Sequence, residues 1–351
     1  MQYLEDPFVS VVVPVKNRPE PTKRLVESFL DQTYSNSELI IVGDFNDATW
    51  STVEEFLSER VRIIRARVLS EGRDANAKRN VGLEAAKGDV LVLTDSDVVL
   101  PSDWLETGVR LMGEGYEVVA GGLLSVGDGN FLSGYVDQNP LGAKTCRFDP
   151  PYVLTAENAG KGRYKQPITA NIFLTRRVYE EVGGLDADFT TPYEDYPYAD
   201  SIIWGGNSIL CTSELDVWHS HRDSAPDLAK EYWRSGIGCA DYVLRYGESH
   251  LAKARMRQLM MILMAIPLWL VGLVIFPAAV LCVSVILMGF LSIAVARRVG
   301  RPEAVWYLVV TVVLSLLFCA GMGYGFMWRK IKGQNPTRII TSWEFSALKG
   351  A

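Results

Sequence analysis

The chain has 351 residues, of which 48% are hydrophobic and 22% charged, and a formal net charge of -6. Residues 259–351 hold eight Lys/Arg against two Asp/Glu, and residues 1–258 hold 27 against 39, so an acidic body precedes a basic end that also contains two uncharged stretches, 259–296 and 304–328. This excludes a disordered chain, a disulfide-framed secreted domain and a wholly soluble protein, and the acidic body argues against a nucleic-acid partner.

The amino-terminal MQYLEDPF lacks a basic region followed by an apolar run, so this end is expected in the cytosol. Residues 8–15 (FVSVVVPV) are apolar and β-branched, the pattern of a strand buried on both faces, closed by Pro14 and the polar turn KNRPEP. TKRLVESFLDQTY then reads as helix, ELIIVGD as strand, WSTVEEFLSE as helix, VRIIRAR as strand, ANAKRNVGLEAAKG as helix and DVLVLTDSDVVL as strand. This alternation predicts an α/β fold with a mostly parallel sheet covered by helices, whose ligands gather beyond the carboxyl ends of the strands. YEVVAGGLLSV reads as strand, 127–167 as an irregular functional loop, and ITANIFLTRRVYEEVGGLD as strand followed by helix. Residues 226–258 form an amphipathic helical segment, suited to a membrane interface or to packing on the body. None of the five cysteines (Cys146, Cys211, Cys239, Cys282, Cys319) forms a CxxC pair, and they read as reduced thiols used for packing.

The 38 uncharged residues of 259–296 would span ~57 Å as one helix against a hydrocarbon core of ~30 Å. With Pro267, Gly272 and Pro277 interrupting, the expectation is a hairpin turning near Pro277, or an interfacial segment followed by one span. Residues 304–328 could span or, through Gly321, Gly323 and Gly325, bend back. Basic residues flank every piece: Lys253, Arg255 and Arg257 before, Arg297, Arg298 and Arg301 between, and Arg329, Lys330, Lys332 and Arg338 after. Keeping all of them on the cytosolic side favours a hairpin followed by a re-entrant or interfacial segment, with 329–351 as a basic cytosolic tail.

Thr94-Asp95-Ser96-Asp97 places two carboxylates one residue apart at the end of an apolar strand. Strand alternation would aim both to one side, where they could hold Mg2+ or Mn2+ together with phosphate oxygens. Acidic residues at an exposed strand end are the plainer reading of a lone DxD, but its place at the ligand-binding edge of a β-α-β array favours the metal.

VSVVVPVKNRP at 9–19, SFLDQTYSNSELIIVGD at 28–44, ANAKRNVGLEAAKGDVLVLTDSD at 75–97, ITANIFLTRRVYEEVGGLD at 168–186 and the later Glu194-Asp195 together resemble a family 2 glycosyltransferase of GT-A fold, over about residues 8–240. The resemblance implies a cytosolic GT-A catalytic domain over 1–225, followed by membrane-embedded helices over 259–328. It implies that Pro14, Val15 and Asn17 line the nucleotide pocket and that Asp44 accepts a hydrogen bond from the base. It places Arg79 toward the base or diphosphate, Asp95 on the ribose or metal, and Asp97 as the main metal ligand. The family usually shows a second acidic residue beside Asp44; here Gly43 stands in its place. Read from the residues alone, Arg79 is a solvated charge or an ion-pair partner.

The resemblance also assigns the acidic pair Glu194-Asp195 to catalysis, with Asp195 as the base that takes the acceptor hydroxyl's proton in an inverting transfer. The alternative for this pair is a loop capping the next helix. His219 and His221, an HxH at a strand end, are candidates for a further metal or diphosphate contact, with His219 preferred, and a structural histidine is the alternative for each. Arg222 and Asn171 are possible diphosphate or acceptor contacts, and Lys144, Arg147, Lys161, Arg163 and Lys165 could meet a lipid pyrophosphate. The Q-x-x-R-W pattern of processive synthases is replaced by EYWRSG, which implies transfer of a single sugar. The expected partners are a nucleotide-sugar donor (UDP- or GDP-linked), a lipid-linked or cell-envelope glycan acceptor and membrane lipids. The alternatives are a polyprenyl-phosphate glycosyltransferase and a non-catalytic scaffold that keeps the fold.

Overall fold

The structure is a computed structural model that describes residues 6–67, 73–125, 131–138, 147–161, 164–219 and 224–332. In chain order its elements are β1 (Val9–Pro14), α1 (Pro19–Leu30), β2 (Ser37–Gly43), α2 (Trp50–Val53), β3 (Val61–Arg65), α3 (Ala75–Ala85), β4 (Val90–Thr94), β5 (Val98–Val99), α4 (Trp104–Gly113), β6 (Val118–Ser125), α5 (Phe131–Gln138), β7 (Tyr152–Leu154), β8 (Asn171–Thr175), α6 (Arg176–Val182), α7 (Tyr196–Trp204), β9 (Ile209–His219), α8 (Ala225–Arg245), α9 (His250–Ile275), α10 (Pro277–Val299) and α11 (Tyr307–Lys332). They fall into two compact units, one on Met1–Val126 and Cys146–Ser220, the other on Gly127–Thr145 and His221–Ile339.

The first unit is built on one nine-stranded sheet in the order β3-β2-β1-β4-β8-β6-β9-β5, with β7 beside β9. β1, β2, β3 and β4 pair in parallel, and β8 enters antiparallel between β4 and β6. Side chains sort by strand alternation into two cores. Val11 and Val13 of β1, with Leu39 and Ile41 of β2, pack with Leu25, Phe29 and Trp104 of α1 and α4. Val12, Ile40, Val42, Leu91 and Leu93 point the other way, onto Leu83 of α3, Val178 of α6 and Ile202 of α7. Burial on both faces accounts for the unbroken apolar runs read in the sequence. Helix α3 lies close on β1 because Gly82 presents no side chain; a Cβ there would stand 2.3 Å from Val12 Cγ1.

Pro14 pairs with Val42 and Val12 with Leu93, so β1, β2 and β4 end together at one sheet edge, and Val15, Asp44 and Asp95 leave the sheet side by side. Two expectations change. DVLVLTDSDVVL is two strands: β4 stops at Thr94, and β5 crosses to pair antiparallel with the end of β9, Val98 opposite His219. Asp95 to Asp97 therefore sit on a turn, and strand alternation does not aim them. The 127–167 stretch contains α5 and β7, and α5 groups with the second unit although its residues fall within the span 1–225.

In the second unit the 226–258 segment breaks at Tyr246–Ser249. α8 ends at Arg245, and Ser249 caps α9, its hydroxyl accepting from the Leu251 amide, so residues 250–258 are the first turns of an apolar helix. α9 and α10 meet at Phe276 and Pro277, the hairpin turn that Pro277 marks in the sequence. Gly321 and Gly325 do not bend α11, which is one helix; they let it lie against α8. A Cβ on Gly321 would meet Trp233 O at 2.3 Å, one on Gly325 would meet Ala240 Cβ at 2.8 Å, and one on Gly236 of α8 would meet Phe318 O at 2.1 Å. The contact ends in a bidentate ion pair, Arg329 Nε and Nη2 to the Asp241 carboxylate at 2.6 Å each. Among the described residues, three helical stretches are long and apolar enough to cross a membrane: His250–Ile275, Pro277–Val299 and Pro302–Ile331.

Candidate active site

A cleft of about 290 Å³ opens at the shared strand ends, lined by the β1–α1 turn, the start of α3, the Asp95–Asp97 turn and the Glu194-Asp195 loop. Two of these walls are fixed by α3. Asn76 donates to the Asp186 and Glu194 carbonyls at 3.0 Å each, and Asn80 exchanges hydrogen bonds with Leu185. The ANAKRN helix thus pins the loop that presents the acidic pair.

Arg79 is 3% exposed and lies between the two acidic motifs, Nη2 donating to Asp95 Oδ1 at 2.5 Å and Nη1 reaching Asp195 Oδ1 at 3.4 Å. Burial works against its charged form, but Asp95, Asp195 and Glu194 outweigh burial and raise its pKa. Arg79 lines the cleft and also donates to Asn76 Oδ1 at 3.3 Å, so from α3 it ties the DxD turn to the loop of the acidic pair. Asp195 also accepts from the Thr169 hydroxyl, on the loop that Thr94 holds by donating to Ala170 O at 2.9 Å. Asp195 is the residue before α7, yet its side chain makes no capping hydrogen bond, which removes helix capping as the reason for this carboxylate.

Asp95, Asp97 and His219 bring one ligand atom each within 4.8 Å of one another. His219 sits at the end of β9, its Nε2 3.3 Å from Asp97 Oδ1, and Asp97 also accepts from Arg18. Burial pushes the Asp97 carboxyl up, but His219 and Arg18 hold it well below the usual carboxylate range. For His219, burial lowers the imidazole pKa and Asp97 and Asp95 raise it, with a net rise. Two carboxylates and an imidazole are a donor set that fits Mg2+ or Mn2+.

Glu194 is 3% exposed and pairs with Arg73 Nε at 2.7 Å. Burial, then the adjacent Asp195 charge, push its carboxyl from 4.5 up to about 7 against the pull of Arg73. A folded pKa above the unfolded one means that the stability contributed by this proton is present below about 4.5 and lost as pH rises through about 7. Glu194→Gln is therefore expected to raise the melting midpoint at pH ~8 and to flatten its dependence between about pH 5 and 8. Thermal melts across that range test it, and a slope identical to the parent's refutes it.

The remaining candidates separate. Pro14 and Val15 line the cleft. Asn17 is exposed, with φ 53°, its amide donating to Asp47 and its side chain accepting from Ala48 N, so it shapes the turn. Asp44 holds Lys78, which is 1% exposed and also donates to Val15 O at 2.9 Å and Asp74 Oδ2 at 3.0 Å. Asn171 does not reach toward a ligand: fully buried, it donates to Gly122 O and Leu215 O at 3.1 and 2.6 Å and accepts from Trp104 Nε1 at 3.2 Å, locking β8 to its neighbours. Asn171→Leu would leave those buried groups unpaired at about 1–3 kcal/mol each. The melting midpoint is expected to fall by more than about 5 °C, as scanning fluorimetry would show, whereas an acceptor-binding role would leave it in place. His221, Arg222, Lys144 and Arg163 lie outside the described residues.

Arg18, Arg73, Asp74 and Lys78 line the cleft and escaped the sequence reading, as did Thr169, which donates to Asp195. Arg18 and Arg73 stand at the rim, 44% and 55% exposed, each on a carboxylate deeper in the cleft. Lys78 adjoins Arg79 in the KRN stretch, and its burial follows from the three acceptors that surround it.

The sheet order and this cleft define a nucleotide-diphosphosugar transferase fold with its acidic turn at the strand ends. Residues 10–183, just under half of the chain, match the family model described as glycosyl transferase family 2. Its sequence is 26% identical over 219 residues to glycosyltransferase AglE of Haloferax volcanii (61% of this chain, 63% of AglE). It is 29% identical over 189 residues to a glucosyl-dolichyl phosphate glucuronosyltransferase of the same organism, over 51% of this chain and 56% of the relative. The chain thus spans less than two thirds of either relative's length. In structure it is similar to mannosyltransferase PcManGT from Pyrobaculum calidifontis, solved with GDP-Man and Mn2+, at a TM-score of 0.62 and 17% identity, covering 93% of this chain and 89% of the other.

Proposed function

We propose that the protein is a membrane-anchored, metal-assisted inverting glycosyltransferase that moves one sugar from a UDP- or GDP-linked donor to a lipid-linked or cell-envelope glycan acceptor. The observation that carries this reading is the convergence, in one cleft, of the Asp95–Asp97–His219 cluster with Asp195, joined through buried Arg79. Asp95, Asp97 and His219 would hold Mg2+ or Mn2+, which when bound neutralises charge on a departing nucleoside diphosphate.

Each remaining step falls to the chain's own side chains. Lys16, Arg18 and Arg73, whose side chains are more than two-fifths exposed at the rim, can turn to a diphosphate. Asp44, at the end of β2, would meet the nucleobase. Asp195 accepts the proton of the acceptor hydroxyl while that oxygen attacks the anomeric carbon from the face opposite the leaving group. Arg79 and the Thr169 hydroxyl hold the Asp195 carboxylate and fix the direction from which it receives that proton. The apolar helices of the second unit anchor the chain, and the similarity to the glucosyl-dolichyl phosphate glucuronosyltransferase of H. volcanii supports a lipid-linked acceptor.

The test is transfer by the full chain in liposomes with Mn2+, a lipid extract and each labelled UDP- or GDP-sugar in turn. The expected result is label in the lipid fraction as one added residue of inverted anomeric configuration. Label on a lipid monophosphate alone would indicate a polyprenyl-phosphate transferase instead, and neither transfer nor donor hydrolysis with any sugar would overturn the proposal.

A further inference from the structure

We infer that α11 does not cross the bilayer: it lies in the plane of one leaflet beside α8, and the second unit crosses the membrane only through the α9–α10 hairpin. This rests on the membrane reading of the second unit and is independent of its catalytic reading.

Polar groups on the neighbouring helices mark where α11 sits. The hairpin is in register through Trp269 Nε1, which donates to Ser284 Oγ at 3.1 Å, and Gly272, whose Cβ would stand 3.1 Å from Val280. Carried down the antiparallel pair, that register brings Arg298 level with Arg255. The basic flanks of α9 and α10 thus share one headgroup level, and the uncharged residues from 259 onward extend away from it. Arg255 stands over the Phe318 ring, 5.7 Å from its centroid, which places the middle of α11 at that same level. From Phe318, α11 extends 11 residues back to Tyr307 and 14 forward to Lys332, about 17 and 21 Å at ~1.5 Å per residue. Neither arm reaches across a core of ~30 Å.

α8 carries the argument further. It runs parallel to α11, Trp233 beside Gly321 and Asp241 beside Arg329, at glycine-permitted closeness. Asp227, Lys230 and Arg234 on α8 are exposed, and the same offset sets them beside residues 315–322 of α11, the very stretch a crossing would put at the bilayer midplane. Exposed charges there are costly. At the headgroup level they are in water or against phosphates, and the Asp241–Arg329 pair lies at the same depth. The face of α11 turned from α8 carries an exposed apolar row, Val309, Val313, Leu316, Ala320, Met327 and Ile331. One face on protein and one apolar face running the length of the helix is the form of a helix lying in the interface. The partner of this row is the acyl boundary of a single leaflet, continuous with the apolar hairpin.

Two measurements on the full chain test this. A topology reporter placed after Gly300 and after Ala351, with an impermeant thiol reagent against Phe276→Cys, should put the first two on one side and the hairpin tip on the other. A C-terminal reporter opposite Gly300 would overturn the inference for α11, while a tip on the same side as Gly300 would overturn the hairpin and the membrane reading beneath it. A spin label at Leu316→Cys, with the exposed Cys282 replaced by Ser, should show the shallow depth of the headgroup boundary. A midplane depth would overturn the in-plane placement even if both ends share a side.

Discussion

Asp97→Ala is expected to lower sugar transfer by roughly 10²–10³-fold, the scale seen when one preorganised electrostatic group at a reacting centre is removed. The substitution deletes one of the three candidate metal donors and leaves Arg18 and His219 facing each other without the carboxylate that balances both. With the acid gone, the Arg18 charge faces the site unbalanced, which disfavours a cation. The loss should therefore appear first as weakened Mn2+ binding, read as the free Mn2+ signal in a titration, and then as a rate that added Mn2+ restores incompletely. The fold should survive, because Arg18 is half exposed and can turn to water and because His219 remains held in β9 opposite Val98. A variant that binds Mn2+ and transfers sugar as the parent does would refute the metal assignment. One that melts many degrees lower would assign Asp97 to structure.

The strand character of the run around Val11 and Val12 was legible because burial on both faces leaves an unbroken β-branched stretch. The carboxylates of the DxD motif were legible as residue types at a strand end, although the geometry that brings them together is a turn and not strand alternation. What could not be read was partnership across the chain. Arg79 and Asp195 are 116 residues apart, and the Asn171 side chain meets Gly122, Leu215 and Trp104 on three other elements. A buried arginine and a solvated one look alike in sequence until the acids around it are placed, and a buried asparagine in a strand signals a polar lock or a ligand contact equally. The glycines of α11 were ambiguous for the same reason. Gly321 and Gly325 permit either a bend or a close neighbour, and only the position of α8 decides for the neighbour.

The same buried arginine sets what Asp195→Asn should do. The asparagine keeps the shape of the side chain and can still meet Thr169, but it removes the oxygen charge that would accept a proton. The expected loss is in kcat, by about 10²–10⁴-fold, the range for a general base. Donor KM should move little, because Asp95, Asp97 and the rim cations are untouched. A second consequence follows from Arg79, whose guanidinium is 3% exposed and shares its charge between Asp95 and Asp195. With Asp195 neutral, Arg79 has a single carboxylate hydrogen-bond partner left, and a buried charge stripped of a partner is destabilising. A lower melting midpoint should accompany the loss of turnover. Asp195→Glu separates the two effects: it restores the negative charge beside Arg79, and so the melting midpoint, while one added methylene displaces the carboxylate from the acceptor oxygen and leaves kcat depressed. Stability restored without turnover would place Asp195 at the reacting atoms, whereas recovery of both together in Asp195→Glu, or an undiminished kcat in Asp195→Asn, would reduce its role to balancing Arg79.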